Sequence, residues 1–168
     1  MKAGARLPGL DEAALVDLAR ALAPALAGGG VVHLRGDLGA GKTTFARALL
    51  QAIGVGERVK SPTYSLIESY RAGGIDIHHL DLYRIADPGE LEWLGLDALW
   101  RPGALVLVEW PQRGGDRMPA ADLVLSLAHA GARRDLVAHS CGSVLGRDLV
   151  ALIQGMPAPG HQKLNHRS

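Results

Sequence analysis

Apolar and polar positions in this chain recur with two different periods. Leu15, Leu18, Leu22 and Leu26 fall at helical spacing and predict a helix over residues 11–27. Asp11 and Glu12 suit its first turn, where the helix dipole favours anions. Pro24 is expected to kink or shorten it, and Gly28-Gly29-Gly30 to stop it. Residues 31–35, Val-Val-His-Leu-Arg, read as a short strand. Residues 42–53 read as a second helix, with Phe45, Leu49 and Ile53 on one stripe and Gly54 at its end. Residues 63–70 and 75–82 read as two strands turned at Gly73-Gly74. Asp87-Pro88 opens a predicted helix over 88–100. Ala104 to Val108 is an unbroken apolar run, as in a strand buried on both faces. Residues 122–129 and 133–139 are two more predicted strands, and 143–153 a last helix. This order predicts one α/β domain over residues 1–155. Residues 156–168, with Pro157, Pro159 and Gly160, are expected to form a disordered tail.

Composition changes this picture little. The chain has 168 residues, 48% of them hydrophobic, which suits one domain with a sizeable core. A net charge of +1 gives no global electrostatic footprint for nucleic acid. The single cysteine, Cys141, excludes an internal disulfide framework and fits a reducing cytosol. No run of 18 apolar residues exists, so no membrane span is expected. Lys2 and Arg6 imitate a basic leader, but Asp11, Glu12 and Asp17 interrupt the apolar stretch a signal peptide would need.

The candidate chemistry begins between the strand 31–35 and the helix 42–53. Gly36, Gly41, Lys42 and Thr43 satisfy G-x-x-x-x-G-K-[ST], the phosphate-binding loop. Glycines admit backbone conformations that let successive N–H groups converge on phosphate oxygens. The helix that starts near Lys42 adds the positive end of its dipole. Leu38, Gly39, Ala40, Gly41, Lys42, Thr43 and Thr44 are the residues expected to wrap the nucleotide. Lys42 would reach the β and γ phosphates, and the Thr43 hydroxyl would meet Mg²⁺, a hard ion that seeks oxygen ligands. The bland alternative is a glycine-rich turn with an exposed lysine, which the flanking strand and amphipathic helix disfavour. A dinucleotide loop fails because Thr44 stands where its third glycine should be. Asn165 is the only asparagine and no D-x-x-G occurs, so the guanine-reading motifs are missing and ATP is favoured by elimination. The predicted fold is therefore α/β, a single P-loop NTPase domain with a central, mostly parallel sheet flanked by helices.

Asp81 ends the strand 75–82 and Glu109 ends the buried strand 104–108. Ligands of open α/β sheets sit at the carboxyl ends of strands. Both acids are candidates to hold Mg²⁺ or to orient the attacking water, and with Lys42 they form the candidate catalytic set. Thr43, Asp81 and Glu109 form the candidate metal set; which acid does which remains open. His78 and His79 point to opposite faces of a strand and make no simple zinc site.

Four segments in order carry a resemblance. Gly36-Asp37-Leu38-Gly39-Ala40-Gly41-Lys42-Thr43-Thr44 is followed by Ser61-Pro62-Thr63-Tyr64, then His79-Leu80-Asp81-Leu82-Tyr83-Arg84, then Val108-Glu109-Trp110-Pro111. From about Leu10 to Val150 the chain resembles the TsaE family of bacterial ATPases, which act in making N6-threonylcarbamoyladenosine (t6A) at position 37 of tRNA. The resemblance implies a small cytoplasmic Mg²⁺-dependent ATPase that works with TsaB and TsaD, resets their complex and meets tRNA only through it. It also implies weak hydrolysis alone and stimulation by partners. By the same resemblance Thr63 lies in a switch-like loop and senses the γ-phosphate, or else simply shapes a turn. Trp110 is a packing residue that neighbours the nucleotide. Arg84 serves either phosphates or a carboxylate. Gln112 departs from the family, where an acid commonly follows the Trp-Pro pair.

Two other readings compete. A stand-alone small-molecule kinase would draw on Arg113, Arg117, Arg133 and Arg134, yet no long insertion supplies a lid. A nucleotide-gated binding module would make hydrolysis incidental.

Overall fold

The computed structural model describes residues 4–56, 59 and 66–157. The segment Ser61-Pro62-Thr63-Tyr64 and the chain from 158 onward lie outside the described residues, and with them the expectations placed on Thr63 and on most of the tail. The elements run β1 (Gly4–Leu10), α1 (Glu12–Leu26), β2 (Gly30–Gly36), α2 (Lys42–Ile53), β3 (Ile67–Ala72), β4 (Ile75–Asp81), β5 (Leu105–Glu109), β6 (Leu123–Ala130), β7 (Arg133–Ser140) and α3 (Val144–Gln154).

The strands form one seven-stranded sheet in the order β1-β7-β6-β2-β5-β4-β3. Its centre, β6-β2-β5-β4, is parallel throughout. The outer pairs β3–β4, β6–β7 and β1–β7 are antiparallel. All five residues of β5 are buried, as the unbroken apolar run requires. Successive side chains of a strand take opposite faces. Leu105 and Leu107 accordingly join the larger core with Leu15, Leu18 and Leu22 of α1, Phe45 and Leu49 of α2, and Leu149 and Ile153 of α3. Val106 and Val108 join a smaller core on the other face with Leu80, Leu82, Ile85, Leu91 and Leu96. Glu109 continues the parity of Leu105 and Leu107, so it faces α2. That placement builds the site.

Part of the expected fold needs correction. The segment 88–100 is not an α-helix. It forms two 3-10 stretches, Pro88–Leu94 and Leu96–Ala98, broken at Gly95, whose φ is 61°. Asp87 caps the first as expected, accepting from the Gly89 N–H at 2.9 Å. The sequence there offers no helical stripe, since only Leu91 and Leu96 are buried while Trp93 stands 89% exposed. β1 was not foreseen, because Gly4, Pro8 and Gly9 depress a strand reading; as an edge strand it tolerates them. Pro24 does not end α1, which runs on to Leu26 although the proline has no N–H to offer the Arg20 carbonyl. At the other end of the chain, Met156 hydrogen-bonds Ile153 and packs on the larger core, so the expected tail is anchored at its first residue.

Candidate functional site

The loop from Gly36 to Gly41 leaves the carboxyl end of β2 and enters α2. Gly41 precedes Lys42 with φ 113°, and an added Cβ would come within 2.7 Å of Leu15 Cδ2. Gly36 has φ 145°, and a Cβ there would collide with the Leu127 carbonyl. Both positions therefore demand glycine. The turn is closed by Ala40 N–H donating to Asp37 O at 3.1 Å. α2 starts without a side-chain cap, so its first N–H groups face the loop.

Lys42, only 4% exposed, donates to Gly36 O at 2.5 Å and to Asp37 O at 2.9 Å. Its Nζ also sits 4.5 Å from the centroid of the Trp110 ring. Burial lowers the Lys42 pKa, while Glu109, Asp81 and Asp37 oppose that shift. Trp110 has φ 58°, the one positive φ among the described non-glycine residues. The strain is of the kind that clusters at functional sites. Its ring packs 5.2 Å from that of Tyr83.

Asp81 and Glu109 are direct partners in the β4–β5 register, so the two acids lie side by side at the strand ends. Glu109 is 2% exposed and bonded at both oxygens. Thr43 Oγ1 donates to its Oε1 at 2.8 Å, and His79 Nε2 lies 2.6 Å from its Oε2. Asp81 Oδ1 accepts from the Tyr83 N–H at 3.1 Å. Desolvation raises the Asp81 pKa; the Tyr83 hydrogen bond lowers it, and the neighbouring Glu109 charge raises it further.

The raised pKa has a consequence for stability. A carboxyl that holds its proton more tightly when folded costs stability once ionised. The cost is absent below the unfolded pKa and complete above the folded one. Asp81→Asn keeps an acceptor for Tyr83 and should raise the urea midpoint at neutral pH. That gain should shrink as the pH falls toward the ordinary carboxylate range. Urea titrations at several pH values measure it; a gain that grows on acidification would contradict the assignment.

A cleft of about 370 Å³ opens over these groups. Of the residues expected at the nucleotide, Leu38, Gly39, Gly41, Lys42, Thr43, Thr44, Asp81, Glu109 and Trp110 line it. Ala40 is fully buried beneath the loop and does not. Arg84 is exposed and does not line it either. His78 and His79 do diverge, His78 pairing with Ser69 Oγ at 2.8 Å and His79 with Glu109.

Glu12, read from the sequence only as a first-turn helix residue, and Arg134, named only for the kinase reading, reach the cleft from α1 and β7. Arg134 Nε is buried without a hydrogen-bond partner among the described residues, and its side chain lies against Gly41. Neither residue belongs to a local motif; only the pairing of β7 with β1 and β6 brings Arg134 there. Of the four arginines the kinase reading would draw on, Arg134 alone lines the cleft. Arg113 stacks on Tyr83 and Trp110, Arg117 pairs with Glu92, and Arg133 bonds Gly9 O.

The parallel centre, the glycine-rich turn and the acids at the strand ends define a P-loop α/β protein. The family model for threonylcarbamoyl adenosine biosynthesis protein TsaE matches residues 10–136, and the chain belongs to that family. It is 44% identical over 106 residues to a tRNA threonylcarbamoyladenosine biosynthesis protein TsaE of Haemophilus influenzae, covering 63% of this chain and 67% of that one. With the Bacillus subtilis protein of the same name it shares 39% over 103 residues, covering 61% of this chain and 64% of that one. The crystal structure of Bacillus subtilis YdiB superposes with a TM-score of 0.67 at 27% identity, covering 90% of this chain and 95% of that chain. Among the described residues no helix is long and apolar enough to cross a membrane.

Proposed function

We propose that this chain binds and hydrolyses ATP with Mg²⁺ in the cytoplasm, as the ATPase component of the machinery that makes t6A37 in tRNA. It would support or reset the TsaB–TsaD complex. The observation that carries the ATPase reading is the convergence of Lys42, Thr43, Asp81 and Glu109 on one glycine-built turn. The tRNA reading rests on family membership and on the names its relatives carry.

The donor set fits Mg²⁺. Among the described residues no cluster of three or more His, Cys, Asp or Glu side chains forms a metal cage. Mg²⁺ does not need one, since it takes one or two carboxylates, a hydroxyl and the oxygens of phosphate and water. Thr43, Glu109 and Asp81 would hold it, and when bound it would neutralise charge developing on the phosphates. Lys42 balances phosphate charge from the loop side. The Glu109 and Asp81 carboxylates, the first buried and the second half-buried, orient what approaches from the strand side. Arg134 adds a second cation above Gly41.

Purified protein should release phosphate from ATP slowly, faster with TsaB and TsaD, and not at all once EDTA removes Mg²⁺. A partner-supplied cation is worth about 10³–10⁵ in rate in phosphoryl transfer. Turnover unmoved in a complex shown to have assembled would overturn the coupling. Transfer of phosphate to a small alcohol or nucleoside instead of water would favour the kinase reading.

A further inference from the structure

We propose that His79 is a positioning residue that fixes the Glu109 carboxylate for the metal site. The proposal rests on reading the cleft as a Mg²⁺–ATP site. His79 is 1% exposed and lies on the α2-facing side of β4, two residues before Asp81. Its Nε2 is 2.6 Å from Glu109 Oε2. Its Nδ1 is buried with no partner among the described residues. An ionised carboxylate only accepts, so Nε2 carries the proton of this bond. An unprotonated Nδ1 is then the less costly atom to leave unpaired, which fixes the tautomer.

A purely packing role does not account for this arrangement. Ile77, two residues earlier in β4, and Leu107, its partner on β5, are apolar, and a buried apolar side chain at residue 79 would leave no ring nitrogen without a partner. What the imidazole adds is direction. Glu109 has two oxygens and two donors, Thr43 on Oε1 and His79 on Oε2. Without His79, a buried Oε2 would lack a partner, and the carboxylate would be free to turn about its last torsion. The same Thr43 hydroxyl and Glu109 carboxylate are the groups assigned to the ion. Groups that orient metal ligands from behind typically tune affinity or activity by about 10–100-fold.

The test compares His79→Leu and His79→Met, which lack a donor, with His79→Gln, whose amide N–H can take the place of Nε2–H. Calorimetric titration of nucleotide at a series of Mg²⁺ concentrations is the readout, with urea midpoints recorded for each variant. The Leu and Met variants are expected to need about 10–100-fold more Mg²⁺ for the same tightening of nucleotide binding. Their metal-free nucleotide affinity should match wild type, and the Gln variant should recover most of the Mg²⁺ response. Two donor-free variants keep the test open if one fails to fold. Wild-type Mg²⁺ demand in any folded donor-free variant, or a Gln variant no better than Leu, would overturn the proposal and leave the ATPase reading intact. A wild-type protein whose nucleotide binding ignores Mg²⁺ would remove both.

Discussion

Lys42→Ala is expected to abolish measurable nucleotide binding and to cut ATP turnover by at least about 10²-fold, the scale on which a preorganised charge-stabilising donor acts. The reason is electrostatic. Asp37, Asp81 and Glu109 all act on the Lys42 ammonium, so without it Asp81 and Glu109 line the cleft, with Asp37 in the adjoining loop, and no lysine offsets them. A polyphosphate would then approach uncompensated negative charge in a partly desolvated site. The fold should survive. Alanine is the best helix former and stands here at the first position of α2. The lysine's hydrogen bonds go to loop carbonyls rather than to the core. Calorimetry with ATP and with ADP, beside a urea titration, separates the effects. Near-wild-type affinity in a stable variant would show that the loop does not cradle phosphate.

The site was largely legible in the sequence because its chemistry is local. One octapeptide places Gly36, Gly41, Lys42 and Thr43 at fixed offsets, and the strand and helix that flank it announce themselves by period. Asp81 and Glu109 were found from their place at strand ends together with the family pattern around them, His79 to Arg84 and Val108 to Pro111. Sheet order makes them neighbours: β4 and β5 pair in register, and no spacing between residues 81 and 109 reveals it. The place of Arg134 and Glu12 at the cleft was hidden for the same reason, since each arrives through long-range pairing or packing. His79 was visible as a residue but not as a partner of Glu109. The strand parity that separates it from His78 is in the sequence, whereas the identity of the strand facing it is not.

The errors in the fold have a common physical origin. Pattern reading weighs local propensity, and tertiary context prevailed at each miss. β1 contains Pro8 and two glycines yet forms a strand because β7 offers it a pairing edge. The 88–98 segment has a good cap and a proline in its first turn, yet it forms 3-10 turns. Leu91 and Leu96 are drawn down onto β4 and β5, and Gly95 takes the left-handed conformation between them. The resulting surface leaves Trp93 and part of Leu94 in solvent.

Glu109→Gln should reduce ATP turnover by about 10²–10³-fold while nucleotide binding persists. The substitution is chosen for its shape. The amide oxygen can accept from His79 Nε2–H, and the amide N–H₂ can donate to a Thr43 hydroxyl turned to accept. No buried group need lose its partner, so the variant changes the charge and little else. Removing a buried negative charge should leave the urea midpoint unchanged or higher, which guards against reading misfolding as lost chemistry. The same measurement made on Asp81→Asn assigns the two acids. The acid that holds the ion will raise the Mg²⁺ concentration required when amidated. The acid that orients water will lower turnover at unchanged Mg²⁺ demand. The bond from Thr43 ties Glu109 to the residue whose hydroxyl belongs to the ion, so the rise in Mg²⁺ demand is expected in Glu109→Gln. A Glu109→Gln enzyme that turns over ATP at the wild-type rate would show that this buried carboxylate, for all its bonding, stands outside the reaction.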